Sequence, residues 1–393
     1  MRNASIVLLF TTLCFFLLPD VSLGQKTKKE LDREKKEKLK KIKEIETILN
    51  ETTGRKNNTL GELNALNQQI RQQEGLIGAI KQEIIYLDRE ISETTLIIES
   101  LEEDLIKLKS EYASMVYATY KANQGLNKLT FLFSASSFTE LRARYKYMEQ
   151  YAQARKKQVS KIEIITETLV DKIENIEEQK TEKETLLVDQ VKQNQNLLAL
   201  KNKRNNVLHA LQSEENILKE DIENTKIAIA EINRKIKEAI DNELAKSTKS
   251  ETNIVLSSSF ANNKNKLPWP VNSGFVSQKF GRHNHPALKG VVVENEGIYI
   301  QTQQNENAVA VFEGDVRVIF PAPSMGYCAL IKHGEYYTVY GGLKTPVVKA
   351  GEKVVIGQVI GEVVTKPEGI TQLWFEIRKG RDPLNPEQWL VKK

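Results

Sequence analysis

Histidine is the side chain that most readily binds a catalytic metal, and this chain of 393 residues contains four. A hydrolytic zinc site needs about three imidazole or carboxylate ligands and an open position for the water whose pKa the metal lowers. One histidine, His209, lies far upstream in a region of helical character, and the others are His283, His285 and His333. This distribution by itself indicates no metal centre.

The stretch from Thr371 to Arg378 reads Thr-Gln-Leu-Trp-Phe-Glu-Ile-Arg. It resembles the last metal-binding strand of the LytM/M23 (lysostaphin-type) zinc endopeptidases, in which His-x-His-Phe-Glu places one imidazole on the metal and another beside it. In this chain the two histidine positions are Gln372 and Trp374. Neither side chain replaces an imidazole as a zinc ligand.

Two further motifs of the same family have lost their functional residues. The family's His-x-Gly-x-Asp is similar to residues 295–299, which puts Asn295 and Tyr299 at the ligand positions. Its Tyr-x-His-Leu is similar to residues 340–343, which puts Gly342 at the histidine. Histidines that remain in this part of the chain match family positions that are not ligands. The resemblance therefore implies a catalytically inactive M23 homologue with no metal and no cofactor.

The scaffold of the family is retained over residues 268–393. It begins at Trp269-Pro270, continues through residues 348–361 with their regularly spaced glycines, and closes at residues 385–390. Valine and isoleucine alternate with polar residues in segments such as 314–320, which is the period of half-buried strands. We therefore expect an α+β chain that ends in a mostly antiparallel β-sheet domain.

A long helical region precedes this domain. Residues 20–267 contain no proline, as long uninterrupted helices require. Stepping three and four residues alternately from Leu63 to Met115 meets an apolar or aromatic side chain at every position except Gln73 and Thr94. Such a period predicts a coiled coil whose seam is about 80 Å long. We expect residues 27–246 to form an antiparallel hairpin, although pairing between chains is an alternative.

The tip of the hairpin is expected near residues 122–138, where three phenylalanines occur. They are Phe131, Phe133 and Phe138. Packing against Tyr145 and Met148 would close the end of the hairpin. Alternatively the phenylalanines form a docking surface, since aromatic clusters are unusual at the exposed end of a monomeric rod.

The first 24 residues have the features of a secretory signal. Arg2 precedes an apolar stretch, residues 6–18, that is shorter than the ~20 residues a membrane span needs, and small residues follow it. Export to the periplasm with cleavage before Gln25 is expected, which would leave Cys328 as the one cysteine. The net charge is only +5 with signs interspersed, so nucleic acid is not expected as a partner.

Residues 247–267 are polar apart from a small apolar group that includes Leu256 and Phe260. Most segments of this composition are linkers. In this chain the apolar group would alternatively lie in the vacant groove of the C-terminal domain and restrain it.

The order of a signal peptide, a long coiled-coil hairpin and a LytM domain without ligands resembles the EnvC-type murein hydrolase activators. That resemblance implies a non-enzymatic role in cell division. The metal-free groove would bind a peptidoglycan amidase and draw away the helix that blocks its zinc site. The coiled coil would be regulated by an FtsE–FtsX-type complex in the inner membrane.

Alignment with the family places candidate partner-binding residues in and around the groove. Its floor would carry Tyr299, Tyr340 and Trp374, with Met325 and Arg378 nearby. Aromatic residues and arginine dominate binding energy at protein interfaces. The alternative is that Tyr299 and Trp374 only fill the volume that a zinc site would occupy.

Three other functions are compatible with parts of the sequence. An active M23 endopeptidase with an unorthodox site is opposed by the missing ligands. A periplasmic membrane-fusion adaptor of an efflux system is suggested by residues 348–361, which resemble half of a lipoyl-like motif. Such adaptors insert their hairpin between two motif halves, whereas here the hairpin precedes the whole β domain. A structural wall-binding protein would bind glycan strands in the groove.

Overall fold

The structure is a computed structural model that describes residues 27–53, 59–123, 128–246, 251–323 and 325–392. The expected signal peptide, residues 1–24, lies outside the described residues, as does part of the expected hairpin tip, residues 124–127. Among the helices that the structure describes, none combines the length and the hydropathy needed to cross a membrane.

Long helices make up the N-terminal part of the chain. They are α1 (Lys28–Thr53), α2 (Leu60–Asn123), the short α3 (Lys128–Phe133), α4 (Phe138–Ser213), α5 (Glu215–Lys246) and α6 (Glu251–Asn262). The Ser137 hydroxyl caps α4 by accepting a hydrogen bond from the backbone N–H of Glu140. With 76 residues, α4 is about 114 Å long.

Helices α2 and α4 form the predicted antiparallel hairpin. Thr119 and Tyr151 hydroxyls lie 2.5 Å apart near its tip, and the Gln73 amide nitrogen lies 2.7 Å from the Gln193 side-chain oxygen nearer its base. Residue numbers rise along one helix as they fall along the other, which defines the antiparallel direction. Gln73, one of the two breaks in the apolar seam, is thus buried in a hydrogen-bonded pair.

Helix α1 adds a third helix at the base of the hairpin. Ile42 packs with Leu76, Ile80 and other apolar residues of α2, together with Leu186 of α4. Towards its C-terminal end, Ile48 joins a second apolar cluster that reaches the sheet domain through residues such as Phe275 and Leu288. The base of the coiled coil therefore packs directly against the β domain.

The C-terminal domain is an antiparallel sheet, as its glycine-punctuated alternation predicted. The main path runs β1-β4-β11-β8-β7-β6-β9, with β10 paired to β5 and β8 and β12 paired to β11, while β2 and β3 form a separate pair. The strands are β1 (Phe275–Gln278), β2 (Gly281–Asn284), β3 (Val292–Asn295), β4 (Ile298–Thr302), β5 (Asn307–Val309), β6 (Gly314–Ala322), β7 (Gly326–His333), β8 (Tyr336–Pro346), β9 (Lys353–Val354), β10 (Val359–Val363), β11 (Thr371–Lys379) and β12 (Asp382–Leu384).

Alternation along β11 gives the two faces of the sheet different roles. Leu373, Phe375 and Ile377 lie in the main hydrophobic core of the domain. Trp374 and Arg378, which lie between and beyond them, belong to the opposite face because successive side chains of a strand point to opposite sides. This second face is where the resemblance places the groove.

Phe260 shows that the presumed linker is partly a structural element of the β domain. It is fully buried in the main core, and its ring centroid lies 4.9 Å from that of Tyr336 and 5.3 Å from those of Phe312 and Trp389. The alternative in which this apolar group lies in the vacant groove is therefore wrong for Phe260. The aromatic ring fills the core on the other side of the sheet, where apolar contacts surround it on all sides.

The three phenylalanines near the tip are open to solvent. Phe131, Phe133 and Phe138 are 42%, 77% and 80% exposed, and Tyr145 is 62% exposed. The Arg144 guanidinium lies 4.9 Å from the Phe131 ring centroid and donates a hydrogen bond to the Phe131 carbonyl oxygen. The structure thus favours an open aromatic surface over a closed hairpin end.

Candidate binding groove and its covering helix

The floor of the groove is apolar and aromatic. Tyr299 and Trp374 face each other across paired strands, with ring centroids 4.7 Å apart in an edge-to-face arrangement. Both belong to a buried cluster that also contains Met325, Leu330 and Val339. The structure therefore brings together three of the predicted groove residues, namely Tyr299, Met325 and Trp374.

Tyr340 is not a groove residue, contrary to the family alignment. Its hydroxyl accepts a hydrogen bond of 2.9 Å from the backbone N–H of Val311, and its ring packs against Phe375 in the main core. The neighbouring residues of β8 that reach the groove cluster are Tyr337 and Val339. Alternation along the strand explains the error, because positions 339 and 340 must face opposite sides of the sheet.

Helix α5 covers this floor. Ile232, Ile236 and Ile240 recur every four residues, lie on one face of the helix and are at most 2% exposed. They pack into the same cluster as Tyr299 and Trp374. Burying three isoleucines stabilises this contact by roughly 5–9 kcal/mol before the cost of ordering the helix is subtracted.

The position of α5 corrects one expectation from the sequence. The sequence predicts that residues 27–246, which include an apolar stripe from Leu208 to Ile236, pack as a coiled coil. The first part of the stripe does, since Leu211 and Leu218 lie in the cluster at the base of the hairpin. From Ile232 onward the same stripe packs on the β-sheet instead. A sheet face and a helix face are equally able to bury an apolar stripe, and periodicity alone does not distinguish them.

Polar contacts at the edges of the covered groove are few. Arg381 on the β11–β12 connection lies 2.7 Å from the Asp241 carboxylate of α5. Lys235 places its ammonium group 5.3 Å from the Phe320 ring centroid and donates a hydrogen bond of 3.4 Å to the Pro321 carbonyl oxygen. Exposed contacts of this kind contribute about 1 kcal/mol or less each. Apolar burial therefore dominates the docking of α5.

Side chains at the degenerate ligand positions are engaged in protein contacts. The Asn295 amide donates a hydrogen bond of 3.1 Å to the Lys279 carbonyl oxygen. The Gln372 amide donates one of 2.6 Å to the Ser277 hydroxyl. Burial raises the pKa of the Tyr299 phenol, so this group stays protonated and is a hydrogen-bond donor rather than an anionic ligand.

Gly342 stands where the resemblance expects a histidine. Its φ is +83°, a conformation that favours glycine, and a Cβ added here would lie 2.8 Å from the Gln372 carbonyl oxygen. Gly342, Tyr299 and Gln372 line a small cavity of about 40 Å³ that Thr225 and Ala228 of α5 close. Any side chain at position 342 would require the backbone to move.

This donor set does not fit the zinc ion of the M23 peptidases. Asparagine, tyrosine, glutamine and tryptophan at the ligand positions supply neither imidazole nor carboxylate. Within the described ranges, no group of three or more histidine, cysteine, aspartate or glutamate side chains is arranged to hold a metal ion.

Arg378 lies on the groove face but inside an ion network. Its Nε lies 2.5 Å from a carboxylate oxygen of Glu376, which is fully buried, and its guanidinium also pairs with Glu296. One arginine thus serves two carboxylates. Burial raises the pKa of Glu376 to about 7, although the Arg378 charge acts in the opposite direction. Arg378 contributes to the network rather than presenting a free cation to a partner.

The raised pKa of Glu376 predicts a pH dependence of stability. In the folded chain Glu376 binds its proton up to about pH 7, whereas its ordinary value is 4.5. As pH rises from 4.5 to 7 the unfolded chain releases the proton first, so stability decreases over this window. Glu376→Gln does not titrate at this position. Between pH 4.5 and pH 8 the free energy of unfolding of the wild type should therefore fall by up to about 3 kcal/mol more than that of Glu376→Gln.

Urea unfolding of both proteins at several pH values, followed by tryptophan fluorescence, measures this difference. Glu362→Gln is the matched control, because Glu362 lies at the surface of β10 beside Lys344, 3.0 Å away. The control should follow the wild-type profile. Parallel profiles for the wild type and Glu376→Gln would contradict the prediction.

Sequence reasoning missed the contacts that hold the coiled coil to the β domain. The Glu44 carboxylate accepts a hydrogen bond of 2.6 Å from the Gly274 backbone N–H, and Glu51 accepts one of 2.8 Å from that of Gln304. The Gln301 amide donates a hydrogen bond of 3.1 Å to the Gly61 carbonyl oxygen. No pattern within either region signals such pairs, because the residues lie more than 200 positions apart.

Comparison with known proteins assigns the C-terminal domain. Residues 293–386 match Peptidase family M23. A lipoprotein NlpD/LppB homolog of Pseudomonas aeruginosa is 33% identical over 102 residues, which is 25% of this chain and 34% of that protein. The chain thus matches about a third of the length of this curated relative.

Two solved structures are similar to part of the chain. Helicobacter pylori Csd3 is 25% identical and covers 32% of this chain and 35% of its own, with a TM-score of 0.28. The catalytic domain of the prophage-encoded M23 protein EnpA from Enterococcus faecalis is 22% identical and covers 31% of this chain and 96% of its own, with a TM-score of 0.27.

The fold and the family match together define a chain that carries an M23 peptidase domain at its C-terminal end. The helical region before this domain is consistent with the arrangement of an EnvC-type activator.

Proposed function

We propose that this protein is a non-enzymatic activator of cell-wall amidases that binds the amidase through the groove of its M23 domain. The observation that carries the proposal is the packing of Ile232, Ile236 and Ile240 against the groove floor. A face that buries an amphipathic helix in this way has the shape and polarity to accept a helix of a partner. The M23 domain and the relationship to an NlpD/LppB homolog support a role connected with cell-wall hydrolysis.

Helix α5 blocks the groove in this state, so activation requires its release. Its contact with the floor is incomplete, because the Tyr299 hydroxyl is buried without a hydrogen-bond partner among the described residues. A buried donor left unpaired costs about 1–3 kcal/mol. Thr225 and Ala228 of α5 line the same small cavity as Tyr299. A partner helix with an acceptor at this point would recover the lost energy and compete with α5.

In this proposal the coiled coil controls the release of α5. The exposed Phe131, Phe133 and Phe138 provide an aromatic surface for a protein partner at the tip. An FtsE–FtsX-type complex of the inner membrane is the partner we propose, with the mature chain exported to the periplasm and acting during cell division. The apolar seam of α2 and α4 connects this surface with the base of the hairpin.

The test uses purified full-length mature chain, a peptidoglycan amidase of the same cell and dye-labelled peptidoglycan. The chain alone should release no dye, even with added zinc, because its ligand positions hold Asn295, Tyr299, Gln372 and Trp374. Once α5 has been released by a substitution in its apolar stripe, the chain should stimulate dye release by the amidase. Adding Met325→Glu in the groove floor should abolish this stimulation. Cleavage by the chain alone would contradict the proposal.

A further inference from the structure

A second cavity, separate from the groove floor, lies between the coiled coil and the β domain. Its volume is about 170 Å³, which is room for about six water molecules. One wall is α2, which contributes Asn64, Asn67 and Arg71. The opposite wall is formed by the β1–β2 region, which includes Lys279 and His283. The cavity therefore depends on α2 as well as on the β domain.

The helical wall presents three polar side chains in a row. Asn64, Asn67 and Arg71 are spaced three and four residues apart, which places them on one face of α2. Asn64 is 9% exposed, yet neither its side-chain amide nor that of Asn67 makes a hydrogen bond to any described residue. Each amide can both donate and accept, as a peptide group requires of its partners.

The charge of the lining is entirely positive. Arg71 and Lys279 contribute the cations, and no aspartate or glutamate lines the cavity. Among the described residues, the Arg71 guanidinium hydrogen-bonds to the side-chain oxygen of Gln68, with its Nε 3.0 Å away, and neither Arg71 nor Lys279 forms an ion pair. Two cations without carboxylate partners beside free amide groups match a carboxylate attached to a peptide bond.

We propose that this cavity binds the carboxyl-terminal end of a peptide, with the carboxylate at Arg71 and Lys279 and the adjoining amide at Asn64 and Asn67. Such a ligand has two sources, a stem peptide of the cell wall or the C-terminus of a protein. The first ends in a D-residue and the second in an L-residue. The inference does not depend on the proposed amidase activation, because it concerns a different surface.

The chain's four histidines provide a direct readout. His283 lines the cavity, its Nδ1 lies 3.1 Å from the Gly281 carbonyl oxygen, and its Nε2 has no partner among the described residues. Its imidazole resonance, assigned with His283→Gln, should shift saturably when full-length chain is titrated with N-acetyl-D-alanine or N-acetyl-L-alanine. If N-acetyl-D-alanine binds more tightly, the source is a stem peptide, and if N-acetyl-L-alanine binds more tightly, it is a protein C-terminus. Equal affinities support a peptide carboxylate as the ligand without distinguishing the sources. N-acetyl-D-alaninamide, which lacks the carboxylate, should have no effect.

Variants of the cation pair test the assignment. Arg71→Gln combined with Lys279→Gln should weaken binding of the preferred probe by at least about tenfold, because charge-assisted hydrogen bonds to the carboxylate are lost. Asn67→Ala should weaken it less, and Lys81→Gln, an exposed lysine on the same helix, should leave it unchanged. The proposal is overturned if neither carboxylate probe shifts the His283 signal, if the amide probe binds equally well, or if the double variant binds like the wild type.

Discussion

Replacing Ile236 by aspartate in the full-length chain is expected to release α5 from the groove. Ile236 is fully buried at the centre of the contact, between Ile232 and Ile240. A carboxylate at this position would be buried without a partner, at a cost of at least about 3 kcal/mol. That cost corresponds to a factor of about 100 or more in the equilibrium between docked and released helix.

Limited proteolysis measures the release directly. Trypsin should cleave after Arg234 and Lys235 about 100-fold faster in Ile236→Asp than in the wild type, because a helix must leave the surface before a protease can bind it. Amidase stimulation should rise in parallel if the proposed function is right. Ile227→Asp is the matched control, since Ile227 lies on the same helix and is 62% exposed. Equal cleavage of the two variants would show that the buried stripe does not hold α5 in place.

Replacing Phe260 by alanine is expected to lower the free energy of unfolding of the β domain by about 3–5 kcal/mol. The ring is fully buried and contacts Phe312, Tyr336 and Trp389, so its removal leaves a cavity in a core of aromatic residues. His333 stacks on the same ring with centroids 5.0 Å apart, and burial lowers the pKa of His333 to about 4. His333 is therefore uncharged, and its ring packs beside Phe260 without filling the space that the Phe260 ring occupies.

Urea unfolding followed by tryptophan fluorescence tests the role of Phe260, because Trp389 lies 5.3 Å from its ring centroid. Val255→Ala on the same helix is the control, since Val255 is 69% exposed and its truncation should cost less than about 0.5 kcal/mol. Phe260→Leu should have an intermediate effect. A loss below about 1 kcal/mol for Phe260→Ala would mean that α6 is a linker after all, and that the domain is complete without it.

The coiled coil and the antiparallel sheet were predictable because the spacing of apolar residues indicates each of them. The apolar seam starting at Leu63 predicted a coiled coil, because a helix of that length must bury its stripe against another helix, and in the structure that helix is α4 of the same chain. Alternation of apolar and polar residues in segments such as 314–320, together with the spaced glycines of residues 348–361, predicted the sheet. These signals are local, and each is read from neighbouring residues.

The occupant of the groove and the anchor of the β domain were not predictable in the same way. Ile236 and Phe260 are apolar residues in helical segments, and their patterns specify that they are buried but not against which surface. Tyr340 was misplaced by one position of strand register, which moved it from the core to the groove. Such assignments depend on how two distant elements meet, and that information is absent from the local sequence.

The junction between α4 and α5 is a single residue. Only Glu214, with φ −97° and ψ 27°, separates the two helices, and its backbone N–H still donates to the Leu211 carbonyl oxygen. A rotation of the hairpin would therefore reach Ile232 through a single non-helical residue. Inserting a few glycines after Glu214 should therefore uncouple a movement of the α2–α4 hairpin from the position of α5.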